Sequence, residues 1–281
     1  MTRKDEQAER TAPAGTAASE EAVEPVTAEW ARYAADGVLL DGFHALKHAL
    51  RFGARVPVAV TTDRLAVREL ARSLAPDLLD VLDGLLREVP EATLRGLVPR
   101  AHPTGVAALA LRSSAPDWDG AGDGVPGPGA GAEPGAGAQE GAPLVVLDNP
   151  RNLGNVGAVV RLAAGAGAAG VLTTGDLDPW HPAAVRAGAG LHFAVPVARR
   201  QVGRLPRRPL LAFDPEGDDL RSVPLPPGAM LAFGSERHGL TDALRDRADH
   251  LVALPMRPQV SSYNLATSVA MALYHWMARP S

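Results

Sequence analysis

The chain has 281 residues, of which 46% are hydrophobic and 21% charged, which is ordinary usage for a globular protein and leaves room for two modest domains. The sequence has no cysteine, which excludes disulfides, zinc–thiolate sites, Fe–S clusters and thiol nucleophiles. The formal net charge is −4, but outside residues 1–29 and 113–143 there are 25 Lys and Arg against 20 Asp and Glu. A basic surface that could meet nucleic-acid phosphates is therefore not excluded by the net charge.

Two segments are expected to lie outside the folded domains. Residues 1–28 have almost no large apolar side chains to offset the entropy of ordering, so we expect a disordered tail. The tail also lacks the apolar stretch of a signal peptide, and no apolar run in the sequence approaches the ~20 residues that cross a bilayer, so we expect a cytoplasmic protein. Residues 115–143 include nine glycines and four prolines from position 120 onward, which is typical of a flexible linker.

The segment between them, 29–114, is predicted to be a small α/β domain. Its apolar patterning predicts strands at 56–60 and 106–111 and helices at 42–52 and 64–74. His44 and His48 share one helix face and could be metal ligands. They have neither an intervening Glu nor a third clustered ligand, so an exposed helix surface is favoured over a metal site.

Residues 144–281 alternate strands and helices more clearly. The predicted strands lie near 144–148, 170–174, 193–197, 209–213, 229–233 and 250–254, and the predicted helices near 155–166, 181–189, 241–248 and 263–278. This alternation predicts an α/β domain with a mostly parallel sheet and helices on both faces.

Gly165, Gly167 and Gly170 match the G-x-G-x-x-G letters of a dinucleotide-binding loop. In a nicotinamide site a strand precedes the glycines and a helix follows them, whereas here the order is reversed. We therefore interpret these glycines as the turn that ends a helix, and a nucleotide-dependent oxidoreductase is disfavoured.

The loop at 149–161 follows a predicted strand and opens a helix. Its glycines and asparagines place backbone N–H groups and amides at the carboxyl end of a strand, where open α/β sheets bind ligands. Asn155 and Arg161 lie nearly two helical turns apart, so both can lean toward one edge. A second interpretation stays open, in which Asn152 or Asn155 only caps the helix and Arg161 is solvated.

Two further loops have the same relation to a predicted strand. Glu236 stands between Gly234 and Gly239 after one strand, and 254–256 ends another. The polar residues 261–264 then open a helix whose remaining residues read as a buried apolar face, and packing does not explain that polar start.

These three loops, in this order, resemble the sequence motifs of the SpoU-type RNA 2′-O-ribose methyltransferases, trefoil-knot enzymes of the SPOUT superfamily. The resemblance covers 144–281 and implies a knotted C-terminal segment that binds S-adenosylmethionine. Residues 37–112 resemble, more loosely, the L30e-like substrate-binding domain that often precedes this catalytic domain. That likeness is carried by 42–47 and 102–106.

The resemblance also implies roles for particular residues. The cofactor contacts would come from Gly234, Leu254, Met256, Ser262, Tyr263 and Asn264, and the catalytic residues would be Asn155, Arg161 and Glu236. Arg161 would hold the phosphate beside the target ribose and stabilise the developing alkoxide, and Asn155 would orient Arg161. No metal is required.

The implied partners are RNA and a second copy of the chain, in a homodimer formed through the catalytic domain. Ribosomal RNA is favoured over transfer RNA as the substrate. A transfer RNA 2′-O-methyltransferase and a non-catalytic RNA-binding protein that retains the fold stay as alternatives. Residues 199–208 also hold five arginines, and the pattern fits a strip that contacts RNA phosphates and a solvated loop about equally.

Overall fold

The computed structural model describes residues 20–112, 118 and 141–279, which form two α/β domains. The elements of the N-terminal domain are α1 (Glu20–Ala34), β1 (Gly37–Asp41), α2 (Phe43–Arg51), β2 (Val58–Thr61), α3 (Arg64–Leu74), α4 (Leu79–Leu85), β3 (Leu86–Glu88), α5 (Glu91–Leu97) and β4 (Val106–Leu111). The strand order is β1-β4-β2-β3, with β4 antiparallel to both neighbours and β2 parallel to β3. The helices predicted at 42–52 and 64–74 are confirmed.

Helix α1 corrects the expected tail. The prediction of disorder through residue 28 is wrong for residues 20–28, which lie in this helix, whereas 1–19 lie outside the described residues. Val26 and Trp30 are 3% and 5% exposed and pack with Val58 and Val60 of β2. Two large apolar side chains one helical turn apart are enough to attach a helix that is otherwise polar.

The C-terminal domain is built on a six-stranded parallel sheet. Its elements are β5 (Leu144–Leu147), α6 (Leu153–Ala166), β6 (Gly170–Thr173), α7 (Pro182–Ala187), β7 (Val197–Arg199), β8 (Leu210–Asp219), β9 (Met230–Phe233), α8 (Asp242–Arg245), β10 (His250–Ala253) and α9 (Leu265–Met277). The strand order is β10-β8-β9-β5-β6-β7. Alternate residues of β5 enter two separate apolar clusters, so both faces of the sheet are covered and the predicted fold class is confirmed.

Two element ends differ from the predictions, and one is confirmed. The strand predicted at 193–197 begins only at Val197, because Leu191–Phe193 forms a 3-10 helix after the left-handed Gly190. Helix α8 is one turn long, shorter than the predicted 241–248. Gly167 ends α6 with φ 70°, which confirms that the glycine run is a helix end.

The predicted linker is shorter than its expected 115–143. Residues 113–117 and 119–140 lie outside the described residues, but Trp118 is buried against the C-terminal sheet, where the Arg200 guanidinium lies 5.6 Å from its ring centroid. The carbonyl of Gly141 accepts a hydrogen bond of 2.7 Å from Gly228, and Ala142 is buried. Trp118 and 141–143 therefore belong to the C-terminal domain.

The two domains are docked against each other. One apolar cluster runs through both of them, from Val38 in β1 to Val185 in α7. Polar contacts also cross the junction: His48 Nδ1 lies 2.7 Å from the carbonyl oxygen of Ala189, and Arg186 forms an ion pair with the buried Asp41. The relative position of the two domains therefore does not depend on the linker.

Candidate functional site

The first predicted loop is organised by Asn152. Its side-chain oxygen accepts hydrogen bonds from the backbone N–H groups of Gly154 (2.8 Å) and Asn155 (3.2 Å), so Asn152 is the cap of α6. The question left open between the two asparagines is thereby decided, because the Asn155 side chain is free for other partners.

Asn155 joins the three predicted loops. Its Nδ2 donates a hydrogen bond to Glu236 Oε1, and its Oδ1 accepts one of 3.4 Å from Asn264 Nδ2. The Asn264 oxygen in turn caps α9, accepting from the N–H groups of Ala266 (2.9 Å) and Thr267 (3.4 Å). Segments that are about 80 and 110 residues from Asn155 along the chain thus meet at one amide.

Arg161 is not among the hydrogen-bond partners of this amide. Its side chain is exposed and has no hydrogen bond or ion pair with any other described residue. The hydrogen bonds of the Asn155 side chain go to Glu236 and Asn264, so the expectation that Asn155 orients Arg161 stays a prediction. Arg161 instead acts on His44 of the N-terminal domain, whose pKa is lowered by burial first and then by nearby positive charges that include Arg161.

The second loop is a tight turn that presents Glu236. Ser235 N–H donates to the Gly239 carbonyl (2.8 Å), and Gly239 N–H donates back to the Ser235 carbonyl (3.0 Å). A Cβ on Gly234 would lie 2.1 Å from the carbonyl carbon of Gly239, so the close approach of the two chain segments requires glycine there. Glu236 is exposed at the tip of this turn.

The third loop, 254–264, fits a ligand with apolar and polar parts. Leu254 and Met256 are half-buried, and the Tyr263 hydroxyl donates to the Pro255 carbonyl at 3.2 Å. Between 256 and 263 one backbone-to-backbone hydrogen bond is present, from Val260 N–H to the Arg257 carbonyl (3.1 Å). The other backbone donors and acceptors of 256–263 have no partner among the described residues, and Ser262 and Asn264 are exposed beside them. The donor set fits S-adenosylmethionine, which has an adenine and an amino-acid end.

Asp148 is a functional candidate that the sequence reasoning missed. Its buried carboxylate accepts hydrogen bonds from the Thr174 hydroxyl (2.5 Å) and from Thr241 N–H (2.6 Å). Asn149 adopts φ 47° and donates its N–H to the same Thr174 oxygen (2.9 Å). Asp148 therefore ties the first loop to the ends of two neighbouring segments. A carboxylate directly after an apolar strand was the available signal.

The arginines of 199–208 are partly structural. Arg199 donates to the Asp176 carbonyl (2.7 Å), and Arg208 donates to the carbonyls of Gly228 (3.5 Å) and Trp118 (3.4 Å). Arg200 also stacks on Trp118, so at least three of the five guanidinium groups are held against the protein. Among the described residues, no group of three or more His, Asp or Glu side chains could hold a metal ion. Nor is any helix in these ranges long and apolar enough to cross a membrane.

Comparison with known proteins finds similarities in the C-terminal domain. Residues 142–274 match the model of the SpoU rRNA Methylase family. The 23S rRNA (uridine(2479)-2′-O)-methyltransferase of Streptomyces viridochromogenes is 31% identical over 144 residues, which cover 46% of this chain and 50% of that protein. The 23S rRNA (guanosine(2553)-2′-O)-methyltransferase RlmP of Bacillus subtilis is 29% identical over 140 residues, covering 47% and 56%. The chain spans about half the length of these curated relatives.

A solved structure matches more of the chain. The crystal structure of an AdoMet-bound rRNA methyltransferase from Sinorhizobium meliloti has a TM-score of 0.63 and 25% sequence identity, and the match covers 90% of this chain and 92% of that chain. Since 142–274 is less than half of the sequence, this likeness in fold extends into the N-terminal domain.

Proposed function

We propose that this protein is an S-adenosylmethionine-dependent RNA methyltransferase acting on a ribose 2′-hydroxyl of ribosomal RNA, because residues 142–274 match the SpoU rRNA Methylase family model. The observation that carries the proposal is the amide of Asn155, which joins Glu236 and Asn264 and so assembles the three loops that carry the family resemblance. The two curated relatives named above are 2′-O-methyltransferases of 23S rRNA, which supports the choice of substrate. We place the reaction in the cytoplasm, with the proposed substrate.

The cofactor would be held by the third loop and by the start of the second. When bound, S-adenosylmethionine supplies a methyl group on a positively charged sulfur, an electrophile that needs no metal. The available backbone groups of 256–263 would hold its polar ends, and Leu254 and Met256 would contact its apolar parts. Ser262, Tyr263 and Gly234 would contribute backbone contacts. The Asn264 side chain is used to cap α9 and to hold Asn155, so we assign it a positioning role.

The proposed roles of the remaining residues follow from their chemistry. Arg161 has no counter-ion among the described residues, so its guanidinium can hold a substrate phosphate and stabilise the developing alkoxide. A guanidinium does not give up its proton near neutral pH, so Arg161 is not the base. Of the three predicted catalytic side chains, Glu236 alone is a carboxylate, a kind of group that serves as general base in enzymes, and its Oε2 is the oxygen that Asn155 leaves open.

We also propose a homodimer formed through α9. Tyr274 and Met277 on this helix are 73% and 50% exposed, which is unusual for large apolar side chains on a helix end. The dimer would cover them, and replacing Tyr274 by Glu would shift the sedimentation coefficient to that of a monomer. We also propose that the C-terminal segment follows a knotted path, as the resemblance implies.

The reaction is tested with the full chain, ribosomal RNA and S-adenosylmethionine. A ribose 2′-methyl ether removes the nucleophile of alkaline strand cleavage, so one linkage should become resistant in a hydrolysis ladder. Arg161→Ala should abolish this protection and leave the calorimetric affinity for the cofactor nearly unchanged. Arg161→Lys should not restore it, because lysine keeps the charge but lacks the bidentate fork. A methylated base with normal cleavage would contradict the proposed acceptor, and RNA binding without any transfer would indicate a non-catalytic protein.

A further inference from the structure

A group of cationic and titratable side chains lies where the two domains meet, outside the three loops. Its members are His44 on α2, His102 in the segment before β4, and Arg161 on α6. The charged groups that act on His44 are Lys47, His102 and Arg161. Each of them lowers the pKa of His44, but by less than the partial burial of its ring does. His44 and Arg161 are exposed and His102 is half-exposed, so the group is open to a ligand.

The local structure holds the His102 ring in place. A Cβ on Gly42 would lie 2.6 Å from His102 Nδ1, so this ring packs directly on the backbone that opens α2. His102 Nδ1 accepts from Thr104 N–H (3.2 Å) and lies 2.9 Å from Thr104 Oγ1. Thr104 Oγ1 also accepts from Phe43 N–H (3.2 Å). Since Nδ1 is an acceptor, Nε2 carries the ring proton and can donate to a ligand even when the imidazole is neutral.

The charge of this group is not balanced by the described residues around it. Two other arginines at the domain junction have carboxylate partners: Arg186 pairs with Asp41, and Arg112 pairs with Asp178 at 2.7 Å. Arg161 has none, and no carboxylate is among the groups that act on His44. Helix α2 adds its positive end and has no acidic residue in its first turn. Such an arrangement attracts an anion.

A neighbouring groove differs in charge. It has a volume of about 1140 Å³, lies between α3 and α5, and shares His102 and Thr104 with the cationic group. Its lining also contains Asp63, Glu69 and Glu91, so its charge is mixed. A phosphate is therefore expected on the His44 side of His102.

We propose that His44 and His102 complete, with Arg161, a composite phosphate-binding site for the RNA substrate that spans both domains. The inference rests on the proposed function, because it assigns the phosphate beside the target ribose to residues of two domains. Arg161 supplies the permanent charge, His102 supplies a fixed N–H donor, and His44 gains a proton when the phosphate binds. The two histidines are positioning residues for RNA, and neither is assigned to the methyl transfer.

The test uses the full chain and a fluorescently labelled ribosomal RNA fragment that the protein methylates. RNA affinity is measured by anisotropy between pH 5.5 and 8.5 at constant salt. A bound phosphate raises the pKa of His44, so affinity should increase as the pH falls through the pKa values of the bound and free states. If that pKa rises by about one unit, the gain is about tenfold. His44→Gln should remove this gain, and His102→Ala should weaken binding at every pH by loss of its donor.

The matched control is His250→Gln, an exposed histidine at the start of β10, which should keep the wild-type profile. The supporting result is a higher KM for RNA in the His44 and His102 variants, with kcat, cofactor affinity and melting temperature unchanged. Unchanged RNA affinity and pH profile in both variants, with methylation intact, would overturn this inference and leave the proposed function standing. Variants that bind inorganic phosphate more weakly but bind RNA as the wild type does would likewise overturn it. Absence of methylation by the wild-type chain would instead contradict the proposed function.

Discussion

At the scale of single residues, the amide of Asn155 is the most sensitive point of the site, because each of its two polar atoms holds a different loop. Asn155→Asp keeps the shape and replaces the donor that faces Glu236 by a negatively charged oxygen. We expect kcat/KM to fall by about 100-fold, since displacement of an aligned site by about 1 Å has an effect of that size.

The natural control for Asn155→Asp is Asn152→Asp. Asn152 acts only as an acceptor in the cap of α6, and aspartate preserves that role. Steady-state methylation assays on the two variants should therefore separate them clearly. Equal activity of both would show that the amide does not hold the loops in their working positions.

A second residue-scale prediction concerns pH. His192 is 2% exposed, its Nε2 lies 3.0 Å from the Pro179 carbonyl, and burial lowers its pKa to about 4. In the unfolded chain its pKa is about 6.5, so the unfolded state takes up a proton first as the pH falls. The contribution of neutral His192 to the free energy of unfolding is complete above about pH 6.5. It is lost as the pH falls from about 6.5 to about 4, and the total loss is up to about 3 kcal/mol. Urea unfolding of His192→Gln should give a flatter profile over this window, and parallel profiles would contradict the assignment.

At the scale of elements, the contact of β1 with α7 holds the domains together through the ion pair of Asp41 and Arg186. The Asp41 side chain is 4% exposed, so removing its partner leaves a buried charge. Arg186→Ala should lower the free energy of unfolding by about 2 kcal/mol, less than for a fully buried pair because Arg186 is partly exposed. Asp41→Asn in the same chain should recover much of this loss. If the two changes are additive in denaturant unfolding, the pair contributes nothing through its charges.

The elements also show what a sequence can predict and what it cannot. Five strands of the C-terminal sheet were found because their apolar runs are continuous, whereas the strand predicted at 193–197 was misplaced. Glu236 was singled out because a carboxylate stood between glycines at a strand end. Helix α1 was missed because, among its described side chains, Val26, Trp30 and Tyr33 are the apolar ones that join the cluster, and they stand in an otherwise polar stretch. The contacts of Asn155 could not be derived either, because its spacing from Arg161 along a helix gives a direction and says nothing of partners from distant loops.

At the scale of the whole molecule, helix α1 covers an apolar face of the N-terminal sheet and should contribute strongly to stability. Trp30→Ala should lower the free energy of unfolding by about 3 to 5 kcal/mol, as for a large aromatic residue in a core. Leu65→Ala is the control, because Leu65 is 76% exposed and its loss should change stability by less than about 0.5 kcal/mol.

Removal of 1–19, whose composition predicts no core contribution, should leave the melting temperature unchanged. An equal effect of all three changes would contradict the packing of α1.

The docked junction between the domains has a consequence for how the chain could be divided. The described residues that form the apolar cluster and the ion pairs lie on either side of 119–140 in the sequence, so a protease cut there leaves these contacts in place. The two fragments should then copurify as one particle, and separately expressed halves should reconstitute a split enzyme when mixed. Packing between the two domains would then fix the distance between the ribose that is methylated and the part of the RNA that the N-terminal domain holds.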